Sequence, residues 1–246
     1  MNPFTSGAIG GVYVVHARKF TDRAEKMRAQ LEKFGIPFEF IEPYDADVLD
    51  DAALKLFSDA GRPMSRGQKS CTLKHLEALR RIAADENRLG LVFEDDAILE
   101  DRFLDELGKV VEEAKSLPQP HSVYVGIGSN MFVPFRQLRP GRRLYEAKVS
   151  RCAEAYLIGA QAARLRLAWV EKNKMDRPID HVYTQIDKEL GIKMYWADPA
   201  TVVQGSMNGY YFSTQAGGTQ LATLWQFKLR FELQRLRRKY IYRFFQ

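Results

Sequence analysis

The sequence predicts an α/β fold, a sheet flanked by helices, followed by a basic, aromatic C-terminal tail. Three observations predict it: a β-α-β unit opens the chain, short β-branched runs then alternate with helical periodicity, and the excess positive charge is gathered at the end. Of the 246 residues 46% are hydrophobic and 28% charged, enough apolar surface to bury a core and too much for disorder. Two cysteines, Cys71 and Cys152, exclude a disulfide scaffold. No run approaches the roughly 18 apolar residues of a membrane helix, and residues 1–11 lack the basic and apolar regions of a signal peptide. A cytoplasmic protein is the expectation.

Residues 11–16 (Gly-Val-Tyr-Val-Val-His) read as a buried strand. Thr21-Asp22 then offers an N-cap and a first-turn acid, Ala24, Met27, Leu31 and Phe34 recur at helical spacing, and Gly35 stops the helix. With a second strand at 38–41, this is a right-handed crossover in a parallel sheet. A short helix is expected at 50–59, broken by Gly61-Arg62-Pro63. A long amphipathic helix follows over 65–86, with Cys71, Leu76, Leu79 and Ile82 on its apolar face. Residues 89–93 form a central strand ending in Glu94-Asp95-Asp96, and the helix with Phe103, Leu107, Val110 and Val111 ends before Pro118. A strand is read at 123–127 and antiparallel hairpins within 131–158. Helices follow at 160–170 and 179–190, and a strand at 193–196. The charge-free stretch 199–227, rich in Gly, Ser, Thr and Gln, reads as a loop or linker. The expected division is residues 1–215 as one domain and 216–246 as the tail.

The net charge of +6 belongs to that tail. Lys228, Arg230, Arg235, Arg237, Arg238, Lys239 and Arg243 face only Glu232, whereas acids and bases balance over the rest of the chain. Nucleic acid is therefore not the expected partner. As a helix, Trp225, Leu229, Leu233, Leu236, Tyr240 and Phe244 fall on one stripe; residues 227–233 also alternate as a strand would. Cations beside an aromatic stripe suit an anionic membrane surface. The alternatives are docking of the stripe on the body, or a dimer contact.

Glu94, Asp95 and Asp96 form the candidate metal site. Adjacent carboxylates repel unless a cation is shared, and the C-terminal end of a strand in an open parallel sheet is where ligands bind. Carboxylate oxygens suit Mg²⁺ or Mn²⁺, which in turn bridge phosphates. In extended chain Glu94 and Asp96 point one way and Asp95 the other. The other reading is a solvated acidic turn. Arg18, Asp22 and Arg23, just beyond the first strand, sit at the same edge of the sheet; a helix N-terminus with an Arg suits a diphosphate, and an Asp suits a ribose. An exposed charged turn is the alternative there. The absence of a glycine-rich phosphate loop argues against NAD enzymes and P-loop NTPases.

Taken together, Val14-Val15-His16-Ala17-Arg18 with Asp22-Arg23, then Gly67, Cys71 and His75, then Leu91-Val92-Phe93-Glu94-Asp95-Asp96, then Pro199 with Val203-Gln204 and Ser206 resemble glycosyltransferase family 25. This is the family of bacterial lipopolysaccharide glycosyltransferases related to collagen galactosyltransferases. The likeness covers about residues 10–207. The sequence departs from the family pattern at His16-Ala17, where Asn-Leu is usual, and at Lys74, where Ser is usual.

The resemblance implies a GT-A type, Rossmann-like mixed sheet and a nucleotide-sugar donor, UDP-linked. A hexose, galactose or glucose, would pass with inversion to a lipopolysaccharide or other surface glycan or glycolipid. It implies a Mn²⁺ or Mg²⁺ ion on Glu94, Asp95 or Asp96 to neutralise the leaving diphosphate, and Gln204 as a donor or metal contact. Inversion needs a base, for which Asp180 is the candidate, with a helix N-cap as its other reading. His75 reads equally as a hydrogen-bonded core histidine and the cysteines as buried thiols. A peripheral position on the inner face of the cytoplasmic membrane would suit a lipid-linked acceptor. The competing class is a non-catalytic scaffold whose tail binds membrane or nucleic acid.

Overall fold

The computed structural model describes residues 2–58, 63–86, 88–206 and 224–245, the side chains of 224–228 excepted. Its centre is a seven-stranded mixed sheet in the order β2-β1-β3-β7-β5-β8-β6. The strands are β1 (Ile9–Val15), β2 (Glu39–Ile41), β3 (Leu89–Glu94), β5 (His121–Tyr124), β6 (Leu144–Ala147), β7 (Ala155–Gly159) and β8 (Lys193–Ala197). β2, β1, β3, β5 and β8 are mutually parallel, whereas β7 and β6 run against them. Five strands thus deliver their carboxyl ends to one edge, and β7 delivers its beginning there.

Alternation along the strands sends side chains to two cores. Val15, Val92, Tyr124 and Tyr156 pack under α3 (Arg66–Ala83), α5 (Ala160–Lys172) and α6 (Ile179–Leu190). Val14, Leu91, Phe93 and Val123 pack under α1 (Thr21–Lys33) and α4 (Phe103–Ala114). A capping box fixes the start of α3: Ser65 Oγ accepts from Gln68 N, and Gln68 Oε1 accepts from Ser65 N. The helix lies so close to β3 that a Cβ on Gly90 would come within 2.2 Å of Ile82.

Several expectations change. The short helix α2 covers only Asp51–Leu54, after which Phe57 pairs with Met175. The two strands within 131–158 form no hairpin with each other: β6 pairs with β8, and β7 is inserted between β3 and β5. A second, two-stranded ladder joins β4 (Ala97–Leu99) to β9 (Val202–Gln204), the latter in a stretch read as loop. The β-branched Thr201-Val202-Val203 was its signal.

The tail is helical, with α7 (Leu224–Arg237), a wider turn at Arg238–Tyr242 and α8 (Arg243–Phe245). It docks on the body by residues outside the apolar stripe, so the alternative of the stripe itself docking does not hold. Leu229, Leu233, Leu236, Tyr240 and Phe244 are exposed, while Phe231 and Arg243 are buried. Phe231 packs with Ile127 and Val203; Arg243 donates to Val133 O and pairs with Asp198; Arg238 donates to Ser129 O. The side chain of Trp225 and the expected boundary at 215/216 lie outside the described residues. Among the described residues no helix is long and apolar enough to cross a membrane.

Candidate active site

The acidic run begins where β3 ends. Glu94 N donates to Glu154 O and Asp95 N to Val15 O, so the backbone of the first two acids is still held by the neighbouring strands. Their side chains then separate. Asp95 turns to the β1–α1 connection: Oδ2 lies 2.8 Å from His16 Nδ1 and accepts from Ala17 N at 3.3 Å, and Oδ1 accepts from Arg23 Nη1 at 3.1 Å. Both oxygens are occupied, and Asp95 fixes the turn that carries Arg18.

Glu94 turns to α3. Its Oε1 lies 3.3 Å from His75 Nε2 and 3.7 Å from Cys71 Sγ, and its Oε2 accepts from Gln204 Nε2 at 3.2 Å. Residues 71 and 75, one helical turn apart, share the α3 face above the strand end. Their Sγ and Nε2, with the Glu94 oxygen, lie within 4.8 Å of one another, a donor set able to ligate an ion. His75 Nδ1 is 3.1 Å from Tyr156 Oη, so the imidazole is held from both sides. Burial first, then the charges of Glu94, Asp95 and Asp96, push the Cys71 thiol well up and keep it protonated.

Asp96 faces the end of β9. Its carbonyl accepts from Gly205 N at 2.8 Å and Oδ2 from Ser206 N at 3.2 Å. Oδ1 is buried and has no hydrogen-bond partner among the described residues. Burial, with Glu94's charge adding, raises this carboxyl to about 7. A half-satisfied buried oxygen beside a second carboxylate is what a hard divalent cation would complete, so the residues fit such an ion.

Glu154, immediately before β7, is a site residue that the sequence reading missed. It is fully buried, Oε1 accepts from Gly128 N, and Oε2 has no partner among the described residues. Burial pushes it up to about 8, and Glu94's charge acts in the same direction. Gly126 leaves room for it, since a Cβ there would fall 2.2 Å from Oε1. Its signal was a lone acid inside the apolar run Ala153-Glu154-Ala155-Tyr156-Leu157.

The structure thus brings together Glu94, Asp95, Asp96, Arg23 and Gln204. Arg18 stays at the surface, 63% exposed, with Nε 3.6 Å from Glu42 and 3.8 Å from Asp45 beyond the end of β2. Asp22 is exposed and 4.0 Å from Lys26. Asp180 lies in the first turn of α6, half-buried; the cap position is Pro178, and Asp180's own carbonyl accepts from Ser150 Oγ. Its charge is felt by Cys152, whose thiol burial drives up to about 12.

The family model described as glycosyltransferase family 25 (LPS biosynthesis protein) matches residues 10–126. Over these residues the chain is similar to glycosyltransferase family 25. This segment runs from β1 to just past β5, so it contains the whole acidic run and its partners on α1 and α3; Glu154, Asp180, Gln204 and the tail lie beyond it.

Among curated proteins the chain is 25% identical over 126 residues to mouse procollagen galactosyltransferase 2, covering 47% of this chain and 20% of that one. Human procollagen galactosyltransferase 2 is 22% identical over 241 residues, 87% of this chain and 38% of that one. The human protein named inactive glycosyltransferase 25 family member 3 is 26% identical over 115 residues, 43% of this chain and 19% of its own length. The chain therefore spans well under half the length of these family 25 relatives.

Proposed function

We propose that this protein is a metal-dependent glycosyltransferase with a GT-A type fold, moving a hexose from a UDP-sugar to a surface glycan such as lipopolysaccharide, with inversion. The observation that carries the reading is Asp96 Oδ1, a buried carboxylate oxygen left without a partner beside Glu94, inside the family 25 segment. Glu94 and Asp96 would hold the ion, and Asp95 would position the β1–α1 turn through His16, Ala17 and Arg23. A divalent cation there supplies Lewis-acid neutralisation of the diphosphate leaving group. Arg18, exposed at the same edge, is free to swing to a phosphate, Asp22 is available to a ribose, and Gln204 steadies Glu94. Asp180 is the proposed base for the acceptor hydroxyl; Pro178 at the cap position speaks against its being a mere N-cap.

The tail's outward face supports a cytoplasmic protein resting on the inner face of the membrane. Leu229, Leu233, Leu236 and Tyr240 are exposed beside Arg230, Arg237 and Lys239, an apolar stripe bordered by cations.

A similar protein bears the word inactive in its name, so a scaffold is the second reading, and one experiment separates the two. Uridine diphosphate with Mn²⁺ is expected to raise the melting temperature of the wild type, and Asp96→Asn to abolish that rise. UDP release from a panel of UDP-sugars then reports the donor. No thermal response to nucleotide and metal together would overturn the transferase reading.

A further inference from the structure

The docked tail forms an open cleft of about 650 Å³ against Asn130, Met131 and Phe132 and against Trp196 near the end of β8, in the size range of small-ligand sites. No carboxylate lines it; its polar and aromatic walls are Asn130, Gln234, Arg237, Arg238, Trp196 and Tyr242. The cationic side chains of the tail divide into two groups. Arg235 is 3.2 Å from Glu232 and Arg243 is paired with Asp198, whereas Arg230, Arg237, Arg238 and Lys239 meet no carboxylate among the described residues, and of these Arg237 and Arg238 line the cleft. Arg238 spends one N–H on Ser129 O and keeps the remainder of its fork. Two adjacent guanidiniums with no neutralising acid, at the wall of a concave site, focus a positive potential into it.

A second observation is independent of charge. Asn130 is completely buried; its amide N–H reaches Phe231 O at 3.5 Å, and its Oδ1 has no partner among the described residues. An idle buried acceptor at the floor of a cleft is a place for a ligand hydroxyl. Trp196 and Tyr242 add aromatic faces of the kind that cover the apolar side of a sugar ring.

We infer that this cleft binds a phosphorylated glycan, its phosphate on Arg237 and Arg238 and a sugar ring on Trp196 and Tyr242. Guanidinium forks match phosphate oxygens two at a time, and the amides of Asn130 and Gln234 suit sugar hydroxyls. The cleft and the acidic run share the carboxyl edge of the sheet. β5 and β8 lie two and three strands from β3, about 10–15 Å at the usual strand spacing. That separation is the reach of an oligosaccharide anchored at one end and presented at the other. The role of the cleft as the acceptor site rests on the transferase reading; the binding itself does not.

The test uses the full chain and titrates lactose 1-phosphate and lactose, following tryptophan fluorescence or heat. Saturable binding of lactose 1-phosphate is expected, at least tenfold tighter than lactose. Arg237→Gln should weaken it fivefold or more, while Arg235→Gln, which removes the same charge outside the cleft, should leave it within twofold. Absence of saturable binding, equal affinity for the two sugars, or equal loss in both variants overturns the inference. Vesicles of phosphatidylglycerol, against phosphatidylcholine, separate the two sources of phosphate. If Arg237 matters only for vesicles and the soluble sugar phosphate is not bound, the cleft reads a lipid headgroup and the glycan assignment fails. Uridine diphosphate with Mn²⁺, applied to the same samples, judges the transferase reading separately.

Discussion

Asp187 and Asp96 are equally hidden from water, 1% and 3% exposed, yet the fold treats them in opposite ways. Asp187, on α6 beneath the sheet, receives Arg166 through two parallel bonds of 2.8 and 2.6 Å and a third from Ser122 Oγ at 3.2 Å. Arg166 is itself stacked 3.9 Å over the Tyr183 ring; burial works against its charge, and Asp187 more than offsets it. Asp96, at the sheet edge, has one oxygen on a single backbone N–H and the other on nothing described, with a second carboxylate close by. The carboxylate kept for the fold has both oxygens closed by its partners, although Nη1 of Arg166 meets none among the described residues. On the function proposed above, Asp96 is left open for a ligand, at a cost to stability that the ligand would remove.

The largest test of that contrast is Asp187→Ala. Stranding the Arg166 guanidinium in the core should cost about 3–5 kcal/mol, read as a lower urea midpoint. A loss under about 1 kcal/mol would mean that the pair is not the closed element described. Next comes Glu154→Gln, which keeps an acceptor for Gly128 N and removes the ionisation. The folded Glu154 carboxyl is raised to about 8 from an ordinary 4.5, so the native state holds the extra proton. Its contribution is complete below pH 4.5 and is lost as pH rises toward 8. Above pH 8 the variant should be more stable than the wild type by on the order of 2 kcal/mol, with a flatter melting profile between pH 5 and 8. An unchanged profile would show that Glu154 does not titrate in that window. The smallest effect is expected for Asp96→Asn without metal. Relieving the repulsion from Glu94 should raise stability at pH 8 by on the order of 1 kcal/mol, read as a higher urea midpoint. A destabilised variant would place Asp96 with Asp187 and erase the contrast.

What the sequence disclosed follows from how local each signal is. The opening β-α-β and the long helix carry periodicity within one segment, and both are present. The helix spans Arg66–Ala83 rather than 65–86, and α1 begins at Thr21 itself, with Phe20 and not Thr21-Asp22 at the cap. The three acids were legible because charge directly after an apolar strand is costly wherever the strand ends. The antiparallel insertion of β7 was not legible, because pairing with β3 and β5 is decided by packing between distant segments. β9 was hidden by the polar composition around it, and with it the way Gln204, Gly205 and Ser206 reach Glu94 and Asp96. In the tail, periodicity left helix and strand open and marked the stripe that stays exposed, but gave no sign of the side that docks. Arg243 can enter the body because Asp198 and Val133 O await it, a compensation no hydropathy pattern records.

The reversed direction of β7 has one more consequence. Since β5 leaves the sheet at the edge where β7 enters it, the chain between Tyr124 and Ala155 sets out and returns side by side, and on the way lays down β6 against β8 at the far side of the sheet. Its exposed turn at 136–142 can be rewritten in length or content without moving the register of these strands. Asn130 of the cleft stands near one foot and Glu154 of the acidic site at the other, so a descendant of this sequence can vary the tip of that turn while both sites keep their places.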